Sequence, residues 1–106
     1  MYDENQIDIP QSFLALFLDP GKTRPNAPRE VVAARYELCE DLANMLSETA
    51  QATMLSLGLS EGEVLPRMAQ GLASEGAVVN PAEANWVMHR LAELLNCKWT
   101  PVAPMV

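Results

Sequence analysis

Polar and apolar residues separate onto two faces of a helix over the stretch from Pro28 to about Leu57. At about 100° per residue the polar side chains form one narrow line: Glu30, Glu37, Asp41, Asn44, Glu48 and Gln51. The opposite face is apolar or small: Val32, Cys39, Leu42, Ala43, Leu46, Ala50, Met54 and Leu57. Val31, Leu38 and Thr49 widen that face beyond a narrow seam. The pattern predicts one long central helix that contacts two neighbours at once.

The ends of this central helix are also marked. Asn26 is a residue type that caps helix starts, and Pro28 suits the first helical position because its missing N–H costs nothing there. Gly58 is placed to end the helix. The predicted helix is about 45 Å long at about 1.5 Å per residue, which is more than one short helix can cover.

A second, shorter helix is predicted after Gly58. Ser60 and Glu63 have the spacing of a capping box, and apolar residues continue to Leu72. Pro66 falls inside this segment, where it removes a backbone hydrogen bond, so we expect a bend there.

The third helix is predicted from Pro81 to about Asn96, because Asn80 can cap it and Glu83 completes a capping box. Its apolar stripe is formed by Ala84, Val87, Met88, Leu91, Leu94 and Leu95. Trp86 is expected on the flank of that stripe.

The compact apolar run from Phe13 to Leu18 fits either a buried strand or a short helix. No other stretch forms a convincing strand, and a lone strand leaves its backbone groups unpaired, so we favour a short helix that Ser12 could cap. Phe13 and Phe17 must be covered, either by the central helix or by another molecule.

These elements predict an all-α fold with a short N-terminal element, one long central helix and two shorter helices packed on it. We expect a single domain over residues 1–106, with residues 1–8 and 98–106 extended or loosely ordered.

The composition excludes several partners. The chain has 7 Lys and Arg against 14 Asp and Glu, and its net charge of -7 argues against nucleic acid and against an anionic membrane surface. No apolar run is long enough to span a bilayer, and the first residues are acidic where a signal peptide is basic. We expect a cytoplasmic protein.

The residues that could carry chemistry do not form a complete site. Gly21-Lys22-Thr23 matches only the end of a phosphate-binding loop, without its first glycine or a preceding strand. His89, Glu93 and Cys97 have i, i+4, i+8 spacing, which is a weak metal pattern. The acidic line of the central helix is expected to be solvated, and Cys39 and Cys97 to be unreactive thiols. We expect no catalytic residues, no cofactor and no metal.

The width of the central helix's apolar face suggests a homodimer with this helix in the interface. The candidate interface residues are Phe13, Phe17, Arg35, Leu38, Leu42, Met45 and Trp86. Arg35 lies toward the apolar side, where its guanidinium either reaches water past its stem or pairs with an acidic residue at an interface. A monomer in which the run from Phe13 to Leu18 covers the remaining face is the alternative.

Three segments, residues 9–17, 34–43 and 92–95, have the patterns IPxSFxALF, ARYELCEDLA and AELL. With these patterns the chain resembles a group of small uncharacterised bacterial proteins, some of which are described as an ATPase with chaperone activity. The resemblance implies no fold, mechanism or catalytic residue. The incomplete phosphate loop argues against the ATPase part of that description, whereas a chaperone or adaptor role remains expected.

The sequence therefore favours a non-enzymatic protein-protein interaction module, acting as an adaptor or a chaperone-like protein. A small ligand-binding or regulatory enzyme is the alternative, and a DNA-binding helical regulator is disfavoured by the absence of a basic recognition helix.

Overall fold

The computed structural model describes residues 8–74 and 77–99. The helices are α1 (Gln11–Leu14), α2 (Arg29–Leu57), α3 (Glu61–Ala73) and α4 (Pro81–Leu94), and a 3₁₀ turn, Ala15–Phe17, follows α1. The described residues contain no strand. The predicted all-α fold, with a long central helix and two shorter helices packed on it, is confirmed.

The chain divides into two compact units with a boundary between Leu38 and Cys39, within α2. The first unit contains α1, the 3₁₀ turn and the beginning of α2. The second contains the rest of α2 together with α3 and α4. Most of the two terminal segments expected to be extended, residues 1–8 and 98–106, lies outside the described residues; Asp8, Lys98 and Trp99 are neither helix nor strand.

The N-terminal run is helical, as favoured over a strand, but Ser12 is not its cap. The backbone N–H groups of Phe13 and Leu14 both donate to the carbonyl of Pro10, so Pro10 occupies the capping position. Phe13 is fully buried, and its ring centroid lies 5.5 Å from that of Tyr36 in α2 and 5.7 Å from that of Phe17. The edge contact between Phe13 and Tyr36 holds the short helix against the start of α2.

The loop between Phe17 and α2 is closed by its own hydrogen bonds. Pro20 and Gly21 form a turn in which Gly21 has φ of 76° and the N–H of Lys22 donates to the carbonyl of Asp19. The side-chain amide of Asn26 donates to Asp19 Oδ1 at 3.0 Å. The side chain of Asn26 therefore closes the loop.

The long helix α2 begins one residue later than its sequence signals suggest. The N–H groups of Val31 and Val32 donate to the carbonyl of Pro28, which places Pro28 before the first turn of α2. At the other end Gly58 adopts φ of 67° and the N–H of Leu59 donates to the carbonyl of Met54. This is the Schellman arrangement for which a glycine is preferred, and it confirms the predicted stop.

Both shorter helices begin at the predicted capping boxes. In α3 the Glu63 carboxylate accepts the Ser60 N–H at 2.9 Å, and in α4 the Glu83 carboxylate accepts the Asn80 N–H at 3.0 Å while Asn80 accepts the Glu83 N–H at 2.8 Å. The helix α3 continues through Pro66, and the bend expected there stays a prediction.

The core of the second unit is supplied unequally by its three helices. From α2 only small residues are fully enclosed: Cys39, Ala43, Ser47 and Ala50. The larger buried side chains come from α3, α4 and the segment before α4: Val64, Leu65, Leu72, Val79, Trp86, Val87, Met88 and Leu91. Because its enclosed residues are small, α2 places its larger apolar side chains at the edges of the core.

The predicted buried face of α2 is therefore wider than the buried face in the structure. Leu42, Leu46 and Met54 are only half-buried, and Leu57 is 59% exposed. The sequence pattern correctly separated apolar from polar positions, but α3 and α4 cover only the middle of the apolar face of α2.

We predict that Asn80→Ala lowers the free energy of unfolding by about 1 kcal/mol, because the N–H of Glu83 loses its acceptor. In a chain of this size the melting temperature should fall by about 4–8 °C. Thermal unfolding followed by circular dichroism measures the change.

Asn85→Ala in the same helix is the matched control. Asn85 is exposed within α4, where alanine is the better helix former, so its melting temperature should stay level or rise slightly. Equal losses in the two variants would show that the cap contributes nothing specific.

Candidate functional site

Two of the seven interface candidates from the sequence are buried inside the chain. Phe13 is enclosed by Phe17 and Tyr36, and Trp86 is only 8% exposed in the second unit. The structure thus corrects the expectation that Trp86 lies on the flank of α4. Neither residue is available to a partner, because each is already covered by its own chain.

Three further candidates belong to the first unit. Phe17, Arg35 and Leu38 are all half-buried. Phe17 contacts the Phe13 ring and thereby contributes to the packing of the N-terminal element. These residues offer only part of their surface to another molecule.

The two remaining candidates, Leu42 and Met45, belong to an apolar surface on α2 in the second unit that also includes Leu46 and Thr49. We name these four residues the outer strip. Met45 is 56% exposed and Thr49 is exposed, while Leu42 and Leu46 are half-buried. The strip borders the small enclosed residues of α2: Leu42, Leu46 and Thr49 line an open groove beside α3, and Met45 lies farther from that groove.

An open groove of about 350 Å³ lies between α2 and α3, along one side of the outer strip. Leu42, Leu46 and Thr49 form its α2 wall, and Arg67, Met68, Gly71 and Leu72 form its α3 wall. Val78, which is 62% exposed, and Ala77 close one end. The groove extends the apolar surface from α2 onto α3 with Arg67 as its one charged lining residue.

The opposite side of the outer strip carries the acidic line. Asp41 and Glu48 are exposed and lie two helical turns apart on the same face of α2. The side chains of Asp41, Glu48 and Arg67 form no ion pair or hydrogen bond in the part of the chain that the structure describes. The surface thus has a cation on one margin and carboxylates on the other.

A second groove, between α3 and α4, has a volume of about 480 Å³ and was not anticipated from the sequence. Its lining combines small and apolar residues with two side-chain amides: Pro66, Ala69, Gln70, Ala73, Ala84, Asn85, Met88 and Trp99. The alanines leave the space open because their side chains are short. The sequence does not show that these alanines face each other, because this depends on how α3 packs against α4.

An ion pair joins α4 to α2 within the second unit. Arg90 donates from Nε to Glu40 Oε1 and from Nη2 to Glu40 Oε2, both at 2.9 Å, and from Nη1 to Glu93 Oε1 at 3.0 Å. The hydrogen bonds from Arg90 hold the pKa of Glu40 below its ordinary value, against the effect of burial. The same bonds raise the pKa of Arg90, so both partners stay charged near neutral pH.

The segment Gly21-Lys22-Thr23 lies in an exposed loop, as the sequence suggested. The N–H of Lys22 is used in the turn with Asp19, and α2 begins only at Arg29. A phosphate-binding loop instead leads directly into a helix and leaves successive N–H groups free.

The three potential metal ligands do not lie together on one face of α4. The helix α4 ends at Leu94, and Asn96 turns the chain with φ of 61°, so Cys97 lies beyond the helix that carries His89 and Glu93. Glu93 accepts its hydrogen bond from Arg90. Among residues 8–74 and 77–99 no three metal-ligand side chains are grouped.

Neither cysteine forms a disulfide in the structure. Cys39 is enclosed in the core, and Cys97 is half-buried with a pKa raised by burial and by the carboxylate of Glu61. A raised pKa lowers the thiolate fraction, and the thiolate is the reactive form.

Comparison of the chain with known protein families, with curated proteins and with solved structures finds no match. No helix in the described part of the chain is long and apolar enough to cross a membrane.

We predict a coupling free energy of about 1 kcal/mol between Glu40 and Arg90, measured by a double-mutant cycle of Glu40→Gln and Arg90→Met in urea. Because the native pKa of Glu40 is lowered, this stabilisation is present above the pKa of the unfolded side chain and is lost as pH falls through the native value. The coupling should therefore be measurable at about pH 7 and vanish at about pH 2.

Glu93→Gln is the control, because Glu93 is 69% exposed and holds Arg90 through one nitrogen only. It should destabilise the protein less than Glu40→Gln does. A coupling that persists unchanged into acid would contradict the role assigned to the Glu40 carboxylate.

Proposed function

We propose that this chain is a non-catalytic protein-binding module, an adaptor or chaperone-like protein of the cytoplasm, which binds through the outer strip and forms a homodimer there. The observation that carries the proposal is the apolar surface on one side of α2, where Met45 is exposed and Leu42 and Leu46 are half-buried. Contiguous apolar surface with a polar margin is typical of a site that binds another protein.

The charge of the chain supports a protein partner over a polyanion. A net charge of -7 repels nucleic acid and anionic lipid headgroups. An apolar surface beside carboxylates suits a protein with an apolar face and a basic margin, or a copy of the same chain.

A chaperone-like role, which the sequence resemblance implies, is compatible with the same surface. Exposed methionine and leucine side chains adapt to differently shaped apolar segments because methionine is flexible and polarisable. In this proposal the dimer and a client protein compete for the outer strip.

We predict that the protein elutes as a dimer, with a mass twice the 11.6 kDa of one chain in light scattering coupled to size-exclusion chromatography at micromolar concentration. Met45→Glu should weaken the dimer at least about tenfold, because it removes an apolar contact and the new charge loses its hydration in the interface. Met45 is exposed in the single chain, so the variant should keep its helical circular dichroism spectrum.

Leu55→Glu is the matched control on the same helix. Leu55 is 88% exposed and lies on the acidic side of α2, away from the outer strip. This variant should remain a dimer. A mass of one chain for the unchanged protein, or equal effects of the two variants, would overturn the proposal.

The groove between α3 and α4 favours a second candidate function, the binding of a small ligand. Its size and its mixture of apolar walls with the amides of Gln70 and Asn85 are typical of small-molecule sites. A ligand bound there would be oriented by hydrogen bonds to the two amides.

A thermal-shift screen of metabolites, with MgATP included, tests this candidate. A ligand at about 100 times its dissociation constant adds about 2.7 kcal/mol of stability, which raises the melting temperature measurably. Ala73→Phe, which fills the groove from an exposed position, should abolish such a shift. A panel without any saturable shift would remove the support for ligand binding. A shift that survives Ala73→Phe would show that the ligand binds outside this groove.

A further inference from the structure

We propose that the second copy packs on the outer strip in parallel orientation, so that Arg67 of each chain pairs with Glu48 of the other. This inference rests on the proposed function, because it takes the outer strip as the dimer surface. It adds the direction of the two helices and the charge pair that selects it.

The two sides of the outer strip differ in charge. On one side Leu46 leads to the groove between α2 and α3, where Arg67 is the charged lining residue. On the other side Met45 leads to Asp41 and Glu48. Each α2 therefore has a basic margin toward α3 and an acidic margin away from it.

Twofold symmetry allows two arrangements of the paired helices, and they bring different margins together. When the axis runs along the helices, the copies are parallel and the α3 side of each faces the acidic side of the other. When the axis is perpendicular, the copies are antiparallel, and the acidic sides of both lie next to each other. Each chain already carries a charge of -7, so the antiparallel arrangement adds repulsion between carboxylates at the interface.

The parallel arrangement also matches the positions along the helix. Residues with the same number lie at the same height in a parallel pair. Arg67 shares its groove with Leu46 and Thr49, and Glu48 precedes Thr49 in α2. Arg67 is thus level with Glu48 of the second copy, and neither has a partner among the described residues of its own chain.

The apolar contacts agree with this charge pairing. Met45 lies on the acidic side of the outer strip, so in a parallel pair it points into the α2–α3 groove of the second copy. That groove is lined by Leu42, Leu46, Met68 and Leu72, which give a methionine side chain an apolar environment. In the antiparallel arrangement Met45 points away from the groove.

Disulfide cross-linking tests the orientation without assuming a register. Leu42→Cys and Thr49→Cys are made separately in a Cys97→Ser background and oxidised with copper phenanthroline. A parallel pair brings each new cysteine next to its copy, whereas an antiparallel pair can do so only at its centre and so at one position at most. The two positions are about 10 Å apart along the helix, beyond the Cα separation of about 4–7 Å that a disulfide allows.

A charge exchange tests the pair itself. Arg67→Glu and Glu48→Arg should each weaken the dimer about tenfold or more, and the double variant should restore most of the loss because the pair is reversed. Gln70→Glu is the control, since it adds a carboxylate to α3 on the side of the other groove. Circular dichroism checks that every variant is folded, which is expected because all three positions are exposed.

Cross-linking at both positions together with recovery in the double variant is the expected result. A dimer that cross-links at one position or neither overturns the parallel packing while leaving the proposed function intact. Additive losses in the double variant overturn the pairing of Arg67 with Glu48. A monomer in light scattering overturns the dimer itself, and with it both proposals.

Discussion

The apolar face of α2 is wider than the part of it that α3 and α4 bury, and this difference determines which side chains of α2 stay exposed. Only the small residues Cys39, Ala43, Ser47 and Ala50 are enclosed by the second unit, while the larger leucines sit at the margin. Enclosing small residues releases less free energy than enclosing leucines, because apolar burial contributes about 25 cal/mol per Å². The helix thus retains apolar surface, concentrated at Met45, Leu42 and Leu46, that a further partner could bury.

Polar residues in the second unit cap α4 and hold it against α2. Asn80 and Glu83 close the start of α4, and Arg90 ties α4 to α2 through both carboxylate oxygens of Glu40. Glu83 is 2% exposed, and its carboxylate accepts a backbone N–H, which lowers the cost of burying a charge. These carboxylates hold backbone groups and a guanidinium, so their positions are explained by the packing of α4.

The two margins of the outer strip carry opposite charges, so the strip has distinguishable sides. Arg67 on one margin and Asp41 with Glu48 on the other make the surface unsymmetrical across its width. Exposed ion pairs add little free energy each, but they discriminate between alternative packings because the wrong packing opposes like charges. An acidic chain that associates with itself needs such discrimination more than a neutral one does, since both copies bring a charge of -7.

The local signals of the sequence were sufficient for the helices. Capping boxes at Ser60 and Asn80 and a glycine at position 58 act within a few residues, and all three are where the helices begin or end. Ser12 and Asn26 were exceptions, because Pro10 occupies the capping position of α1 and the amide of Asn26 contacts Asp19, a contact that depends on how the loop returns. The 3.6-residue period likewise separated apolar from polar positions on α2, since it depends on the helix alone.

Which apolar positions are covered was decided only by the tertiary structure. Phe13 and Trp86 were interface candidates in the sequence, yet both are enclosed within the chain, whereas Met45 and Leu57 remain exposed. The ion pair between Arg90 and Glu40 and both grooves likewise join residues that are distant in the chain. The sequence determined which residues each helix can offer to a neighbour, and tertiary packing decided which are covered, because burial depends on the distance and angle between helices and no local pattern records these.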